Sequence, residues 1–282
     1  MERKKIAIVG VGLIGGSLAI QLHEKKLSSK LIGVELNDEH ARQALEMELV
    51  DEIATLDDAI SQSDVIVLAM PVDTMVLMLP SILGKIEKQI VLDLGSTKSQ
   101  LAETVRSHPK RGRYVATHPM WGTEYSGPQA AVQGAYENKA VIICNAEESD
   151  ADALTWVKHM YNKIGMHLLE MEAKAHDLHA AYVSHISHIT SFALANTVLE
   201  KEKEEQAIFE LASAGFESTV RLAKSNPAMW VPIFMQNKEN VLDVLKEHIA
   251  QLSRFKESLE KEDNEYLMRL IENANKIRRI IK

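Results

Sequence analysis

Ile6-Ala7-Ile8-Val9-Gly10-Val11-Gly12-Leu13-Ile14-Gly15-Gly16-Ser17-Leu18-Ala19 runs from a β-branched apolar segment into the pattern Gly-x-Gly-x-x-Gly. Ile6 to Val9 reads as a buried parallel strand, and Leu13 to Gln21 carry apolar residues at helical spacing. Each glycine answers a different need. Gly10 permits the tight turn from strand to helix, Gly12 lets backbone approach a pyrophosphate, and Gly15 lets the helix lie close to the strand. Leu13 and Ile14 then offer free N–H groups at a helix N-terminus, where an anion is stabilised.

Such a motif alone is weak, so its surroundings carry the test. Lys30-Leu31-Ile32-Gly33-Val34-Glu35 reads as a second strand. Glu35 lies about twenty residues past Gly15, where a carboxylate accepts hydrogen bonds from an adenosine ribose. No arginine follows directly in Leu36-Asn37-Asp38-Glu39 to neutralise a 2′-phosphate, so NAD is the expected cofactor rather than NADP. A tight turn and a surface acid with no ligand is the bland alternative.

Working outward, 282 residues suit two domains, or one large domain with an appendage, with 46% hydrophobic and 26% charged residues, as in ordinary globular proteins. A formal charge of −8 argues against nucleic acid or an anionic membrane as partner. It also requires a local cationic pocket for any anionic substrate. Cys144 is the single cysteine, which excludes an intrachain disulfide and a multi-cysteine metal site. The N-terminal residues lack the apolar segment of a signal peptide, and no apolar run reaches membrane-spanning length, so a cytoplasmic location is expected.

To about Met171 the chain alternates short apolar runs with amphipathic helices, the mark of a doubly wound sheet. A helix is expected from Asp38 to Glu48 with Asp38 as cap, and another from a Ser149 cap to Ile164. Strands are expected at 64–70, 89–94, 113–117, 139–144 and 166–170. Ala69, Pro71 and Val72 leave one of them at its carboxyl end, where ligands gather in open sheets, though plain loop packing would also explain them. After Glu172 strand signals vanish. Leu245, Ile249, Leu252, Phe255 and Leu259 form one apolar helical stripe, and Leu267, Leu270, Ala274, Ile277 and Ile281 form a second beyond Lys261-Glu262-Asp263. The expected architecture is an α/β Rossmann-like domain with a mostly parallel sheet (1–170) followed by an all-helical domain (171–282). The two stripes exceed the needs of one small helical layer, so a homodimer is expected.

Three groups of residues suit chemistry. His118, just past a strand, can accept a hydroxyl proton as hydride leaves the same carbon. It can equally be a structural histidine before proline. Ser96 follows another strand end and either shares a hydrogen bond with the reacting group or caps a helix beginning near Lys98. Residues 176–188 hold four histidines. On a regular helix His176 and His185 point oppositely, as do His179 and His188, so no metal site is expected and His185 and His188 can divide between core and ligand. Arg221 and Lys224, three apart, suit an anion clamp, the guanidinium gripping a carboxylate in bidentate fashion, or simply form a solvated face.

Read together, the glycine loop, Asp93-Leu94-Gly95-Ser96-Thr97-Lys98, His118-Pro119 through Gly122-Thr123-Glu124, Val183 to His188, and Gly215-Phe216 with Arg221, Lys224 and Pro227 to Trp230 resemble the prephenate and arogenate dehydrogenase family of tyrosine biosynthesis. The resemblance spans nearly the whole chain. It implies oxidative decarboxylation: hydride leaves ring C4 to NAD, the C4 hydroxyl loses its proton, and carbon dioxide leaves C1. On this basis prephenate would give 4-hydroxyphenylpyruvate, and arogenate would give tyrosine directly. By the match, His118 takes or holds the hydroxyl proton with Ser96 orienting it, and Arg221 fixes a substrate carboxylate. His188 and Thr123 contact substrate, Glu124 gates the pocket mouth, Trp230 shapes it, and the helical domain dimerises. Trp121 stands where members typically have a small residue, Ala214 where glycine is common, and Ser218 where an acid often precedes the arginine. Nothing past the helical region resembles a regulatory ACT domain, and no chorismate mutase module precedes the first strand. Tyrosine inhibition, if any, is therefore expected to be competition in the pocket. Other two-domain dehydrogenases and a non-catalytic dinucleotide sensor are the competing readings; the former lack these motifs in this order, and the latter would lack His118, Ser96 or Arg221.

Overall fold

The computed structural model describes residues 2–203 and 205–280, which fall into two compact units, 1–237 and 238–282. The first is built on an eight-stranded sheet: β1 (Lys4–Val9), β2 (Ser28–Val34), β3 (Glu52–Ile53), β4 (Val65–Leu68), β5 (Ile90–Asp93), β6 (Tyr114–Pro119), β7 (Ala140–Cys144) and β8 (His167–Met171). Their order is β3-β2-β1-β4-β5-β6-β7-β8, parallel throughout except between β6 and β7. The order reverses between β1 and β4, which makes that crevice the switch point at which such sheets bind ligands. Val65 to Leu68 and Ile90 to Asp93 are buried on both faces, as their continuous apolar runs require.

Helices α1 (Leu13–Glu24), α2 (Asp38–Glu46), α3 (Leu56–Gln62), α4 (Val72–Lys85), α5 (Ser99–Val105) and α6 (Ala151–Ile164) connect the strands. After β8 come α7 (Ala173–Ala180), a π-helical turn (Ala181–His185), α8 (Ile186–Glu202), α9 (Ala214–Val220), a 3-10 turn (Arg221–Lys224) and α10 (Pro227–Gln236). Two layers of apolar side chains, one on each sheet face, form the core.

Several local expectations shift. Asn37, not Asp38, caps α2, its side chain accepting from the His40 amide at 3.0 Å; Asp38 is already the first helical residue. Helix α6 begins at Ala151 after Asp150, while the Ser149 hydroxyl donates to the Tyr114 carbonyl instead. The short strand β3 has no period of its own to announce it. His118 lies inside β6 rather than past it, because β7 continues the pairing to Pro119.

In the second unit, α11 (Lys238–Glu260) and α12 (Asn264–Asn275) are joined by a break at the charged triplet. Glu262 turns left-handed there (φ 52°), and the Asp263 carboxylate accepts from the Tyr266 amide to start α12. Leu245, Phe255, Leu267 and Leu270 are half-buried. Ile249, Leu252, Leu259, Ala274 and Ile277 remain exposed; Ile281 lies outside the described residues. No helix among the described residues is long and apolar enough to cross a membrane.

Candidate active site

The switch-point crevice is built by the three glycines as their chemistry demands. Gly10 has φ +94°, and a Cβ on it would stand 2.9 Å from the Ala69 carbonyl group. A Cβ on Gly15 would stand 2.2 Å from the Gly10 oxygen. Over Gly12 the space is open: its nearest neighbour would be the Gly127 nitrogen at 4.0 Å. Among the described residues no side chain caps α1, so its first-turn N–H groups suit an anion. The Leu13 and Ile14 carbonyls are held by the Ser17 and Tyr136 hydroxyls at 2.6 and 2.7 Å, which fixes the turn.

Glu35 sits at the end of β2 with one carboxylate oxygen on the Val11 amide (3.2 Å) and the other on Leu36 and Asn37 (3.0 and 3.1 Å). Its remaining lone pairs suit ribose hydroxyls. On α2, Arg42 is engaged by Glu39 and Glu46. These features fit NAD. Ala69 packs on the glycine loop and Pro71 is exposed at the start of α4. The Val72 side chain is buried, packed with Trp230 and Ile233 and lying beside Gly95.

His118 is 8% exposed near the carboxyl end of β6. Its Nδ1 lies 2.8 Å from His176 Nε2, and His176 Nδ1 lies 2.8 Å from Asp177 Oδ1. Asp177 also accepts from the Lys98 and Ser99 amides, both at 2.8 Å. Asp177, not Ser96, therefore caps α5, and Ser96 is left half-buried on the preceding loop. Beneath it the buried Lys98 ammonium pairs with Asp93, which also accepts from the Tyr114 hydroxyl and the Gly95 and Thr117 amides. A buried pair satisfied this fully is rigid, and removing one partner would cost about 3–5 kcal/mol. Burial, then His176, Lys98 and His185, push the His118 imidazole well below the ordinary histidine value, so it is neutral at pH 7. The Cys144 thiol is pushed up to about 12 by burial and is no nucleophile.

The opposite-face argument for the histidines does not survive. The π-helical turn advances fewer degrees per residue, and both His176 and His185 end up buried. The Asn237 amide donates to the Asp177 carbonyl (2.6 Å) and lies 3.1 Å from His185 Nδ1. Among the described residues no group of three or more His, Cys, Asp or Glu is placed to hold a metal ion. His179 is exposed. His188, half-buried, stacks on Trp230 with ring centroids 3.4 Å apart and bonds the Ser184 carbonyl. Burial lowers its pKa; the Ser184 bond opposes this and Arg221 adds to it.

At the outer end Arg221 Nη1 donates to Glu124 Oε2 at 2.6 Å. The Glu124 side chain is 9% exposed and the Arg221 side chain 49%. The carboxyl is held below its usual range by its own backbone N–H and by Arg221, against burial. Arg221 and Lys224 share the 3-10 turn, where residues three apart eclipse. Lys224 lines a cleft of about 500 Å³ with Glu124, Tyr125, Ser126, Gln129 and Asn226. The Thr123 hydroxyl accepts from the Tyr125 amide. Trp121 packs edge-on against Tyr136, tying the 121–128 loop to the start of α1. Ser218 bonds back to the Gly215 carbonyl, and Ala214 opens α9. The residues missed by sequence reasoning are Asp177, Lys98 and Asn237. Asp177 stood in view beside His176, but a 79-residue separation hid the Lys98 amide it caps.

A glycine-loop crevice, an acid at the ribose position and a buried neutral imidazole at an adjoining strand end define an NAD-dependent dehydrogenase. Residues 18–170 match the family described as prephenate dehydrogenase, nucleotide-binding domain, and residues 172–273 its dimerization domain. The chain belongs to the prephenate dehydrogenase family. It is 30% identical to a prephenate dehydrogenase of Bacillus subtilis over 97% of this chain and 75% of that one. It is 29% identical to a cyclohexadienyl dehydrogenase of Zymomonas mobilis over 99% of this chain and 96% of that one. The crystal structure of Aquifex aeolicus prephenate dehydrogenase, in complex with hydroxyphenyl propionate and NAD+, superposes with TM-score 0.88 at 30% identity, covering 100% of this chain and 99% of that one.

Proposed function

We propose that this protein is an NAD-dependent prephenate dehydrogenase that forms 4-hydroxyphenylpyruvate, with His118 as the base. The observation that carries the reading is the imidazole of His118, buried and neutral, with Nδ1 engaged by His176 and Nε2 without a protein partner among the described residues. Bound NAD supplies a two-electron acceptor for the hydride leaving ring C4. The chain's own tasks are alignment and proton management. Nε2 of His118 accepts the C4 hydroxyl proton while Ser96 orients that hydroxyl. Arg221 leaves Glu124 to take a substrate carboxylate, and loss of carbon dioxide from C1 then completes the aromatic ring. His188 and Thr123 contact the substrate, and Trp230 holds His188 flat. Glycines 10, 12 and 15 with Leu13 and Ile14 cradle the dinucleotide, and Glu35, Ala69, Pro71 and Val72 complete its site.

The pairing of Glu124 with Arg221 favours arogenate as a second substrate, since a carboxylate freed from the guanidinium is poised to receive the substrate's ammonium. The experiment is NADH formation followed by absorbance with prephenate and with arogenate, each repeated with NADP. Higher kcat/KM for prephenate with NAD supports the first reading, higher kcat/KM for arogenate the second, and no reduction with either refutes both. We also place the domain border at residues 170/171 and propose a cytoplasmic homodimer, supported by the apolar residues left exposed along α11 and α12.

A further inference from the structure

The buried chain from His118 through His176 to Asp177 bears on which nitrogen of His118 carries its proton. Asp177 is an acceptor at both oxygens, each already receiving a backbone amide, from Lys98 and Ser99. It is therefore anchored by the start of α5 and cannot turn away. Facing Oδ1 at 2.8 Å, His176 Nδ1 must carry its proton and donate. In a neutral ring Nε2 of His176 is then a bare acceptor, and the atom 2.8 Å from it, His118 Nδ1, must be the donor. That leaves the lone pair of His118 on Nε2, the nitrogen without a protein partner. The opposite arrangement would put two acceptors face to face inside the core across 2.8 Å, a gap too short to admit a water between them.

We infer that Asp177 and His176 are positioning residues that hold His118 as its Nδ1–H tautomer, so that Nε2 is always the basic nitrogen, and that they stabilise the imidazolium formed in turnover. This deepens the proposed role of His118 and rests on it. In the step the substrate O–H bond breaks and an Nε2–H bond forms. The O–H electron pair becomes the ring carbonyl as hydride leaves C4, and the positive charge left on His118 is shared along Nδ1–H toward His176 and the Asp177 carboxylate. No proton has to leave His176. The rings meet edge to face at 70°, with centroids 5.0 Å apart, which directs Nδ1–H at a lone pair rather than at a π face. Asn237 holds the Asp177 carbonyl, so the dyad is tied down at both ends.

The test uses the full-length protein labelled with 15N-histidine, the His118 signals being assigned by their loss in H118N. The expected spectrum shows His118 protonated at Nδ1 and bare at Nε2, and this needs no variant of the dyad to fold. In parallel, kcat and both KM values are measured for His176→Leu, His176→Gln and Asp177→Asn. H176L and D177N are expected to lose roughly 10- to 100-fold in kcat while KM changes by less than about 3-fold, the pattern of a misdirected base. H176Q, whose amide oxygen can accept from Nδ1–H, should recover to within about 5-fold of the parent. An Nε2–H signal for His118 in the parent protein would overturn the inference, as would H176L turning over at the parent rate while H118N is inactive. Should H118N itself keep the parent kcat, the role of His118 as base fails first and this inference with it, a result distinct from the other two.

Discussion

The two ends of the site are built on opposite principles. At the inner end His118, His176, Asp177, Lys98 and Asp93 are buried, cross-linked by hydrogen bonds and borne on strand ends or on helices docked against them. At the outer end Arg221 is half exposed on a 3-10 turn and is satisfied by a single partner, Glu124. The sealed end is preorganised: it offers one orientation and one protonation state, at the expense of burying charge that only a complete network can tolerate. The outer end is held by one ion pair, half exposed on the Arg221 side and nearly sealed on the Glu124 side, and under the proposed function a substrate carboxylate takes the place of Glu124 on the guanidinium. Under the proposed function, chemistry falls to the first and recognition to the second.

That division is broken most sharply by His118→Asn, expected to lower kcat by roughly two to four powers of ten with little change in KM. Near-parent turnover in a steady-state assay would erase the distinction. Arg221→Ala should do the reverse, raising the substrate KM about 10- to 100-fold while kcat stays within a few-fold. An unchanged KM would remove Arg221 from the site. Glu124→Gln sharpens the comparison further: it frees the guanidinium, so KM for prephenate is expected to stay level or fall, while KM for arogenate rises if Glu124 receives the ammonium.

The smallest effect concerns pH. Burial lowers the His185 pKa to about 4, so the folded protein keeps this ring neutral while the unfolded chain protonates it first, near 6.5. Its contribution to stability is complete above that pH and is lost as pH falls from 6.5 toward 4. His118 and His188, whose pKa values are also lowered by burial, act in the same direction, so a Tm lower by at least roughly 5 °C at pH 4.5 than at pH 7 is expected, and His185→Gln should reduce that difference without abolishing it. An equal slope in the variant would exclude a contribution from His185.

What could be read from the sequence was what is local. The glycine loop, Glu35, His118 and Arg221 each announce themselves within a few residues, because a turn, a strand end or a helical repeat is a short-range event. The positions of most strands followed for the same reason, from short apolar runs. What escaped depends on contacts across the chain. The start of α5 is capped by Asp177 from a different helix, so neither Ser96 nor any neighbour betrays it. The faces of His176 and His185 were misjudged because a regular 100° step cannot anticipate a π-helical turn. The packing of Val72 with Trp230 and Ile233 of α10 is another contact across the chain that no local pattern shows.

The most direct test of the account is a crystal structure of this protein with NAD and its phenolic product bound. The account predicts Nε2 of His118 within about 3.2 Å of the ring hydroxyl, with Arg221 released from Glu124 and gripping the product's carboxylate. An imidazole turned from that hydroxyl, or an intact Arg221–Glu124 pair with the carboxylate held elsewhere, would contradict it.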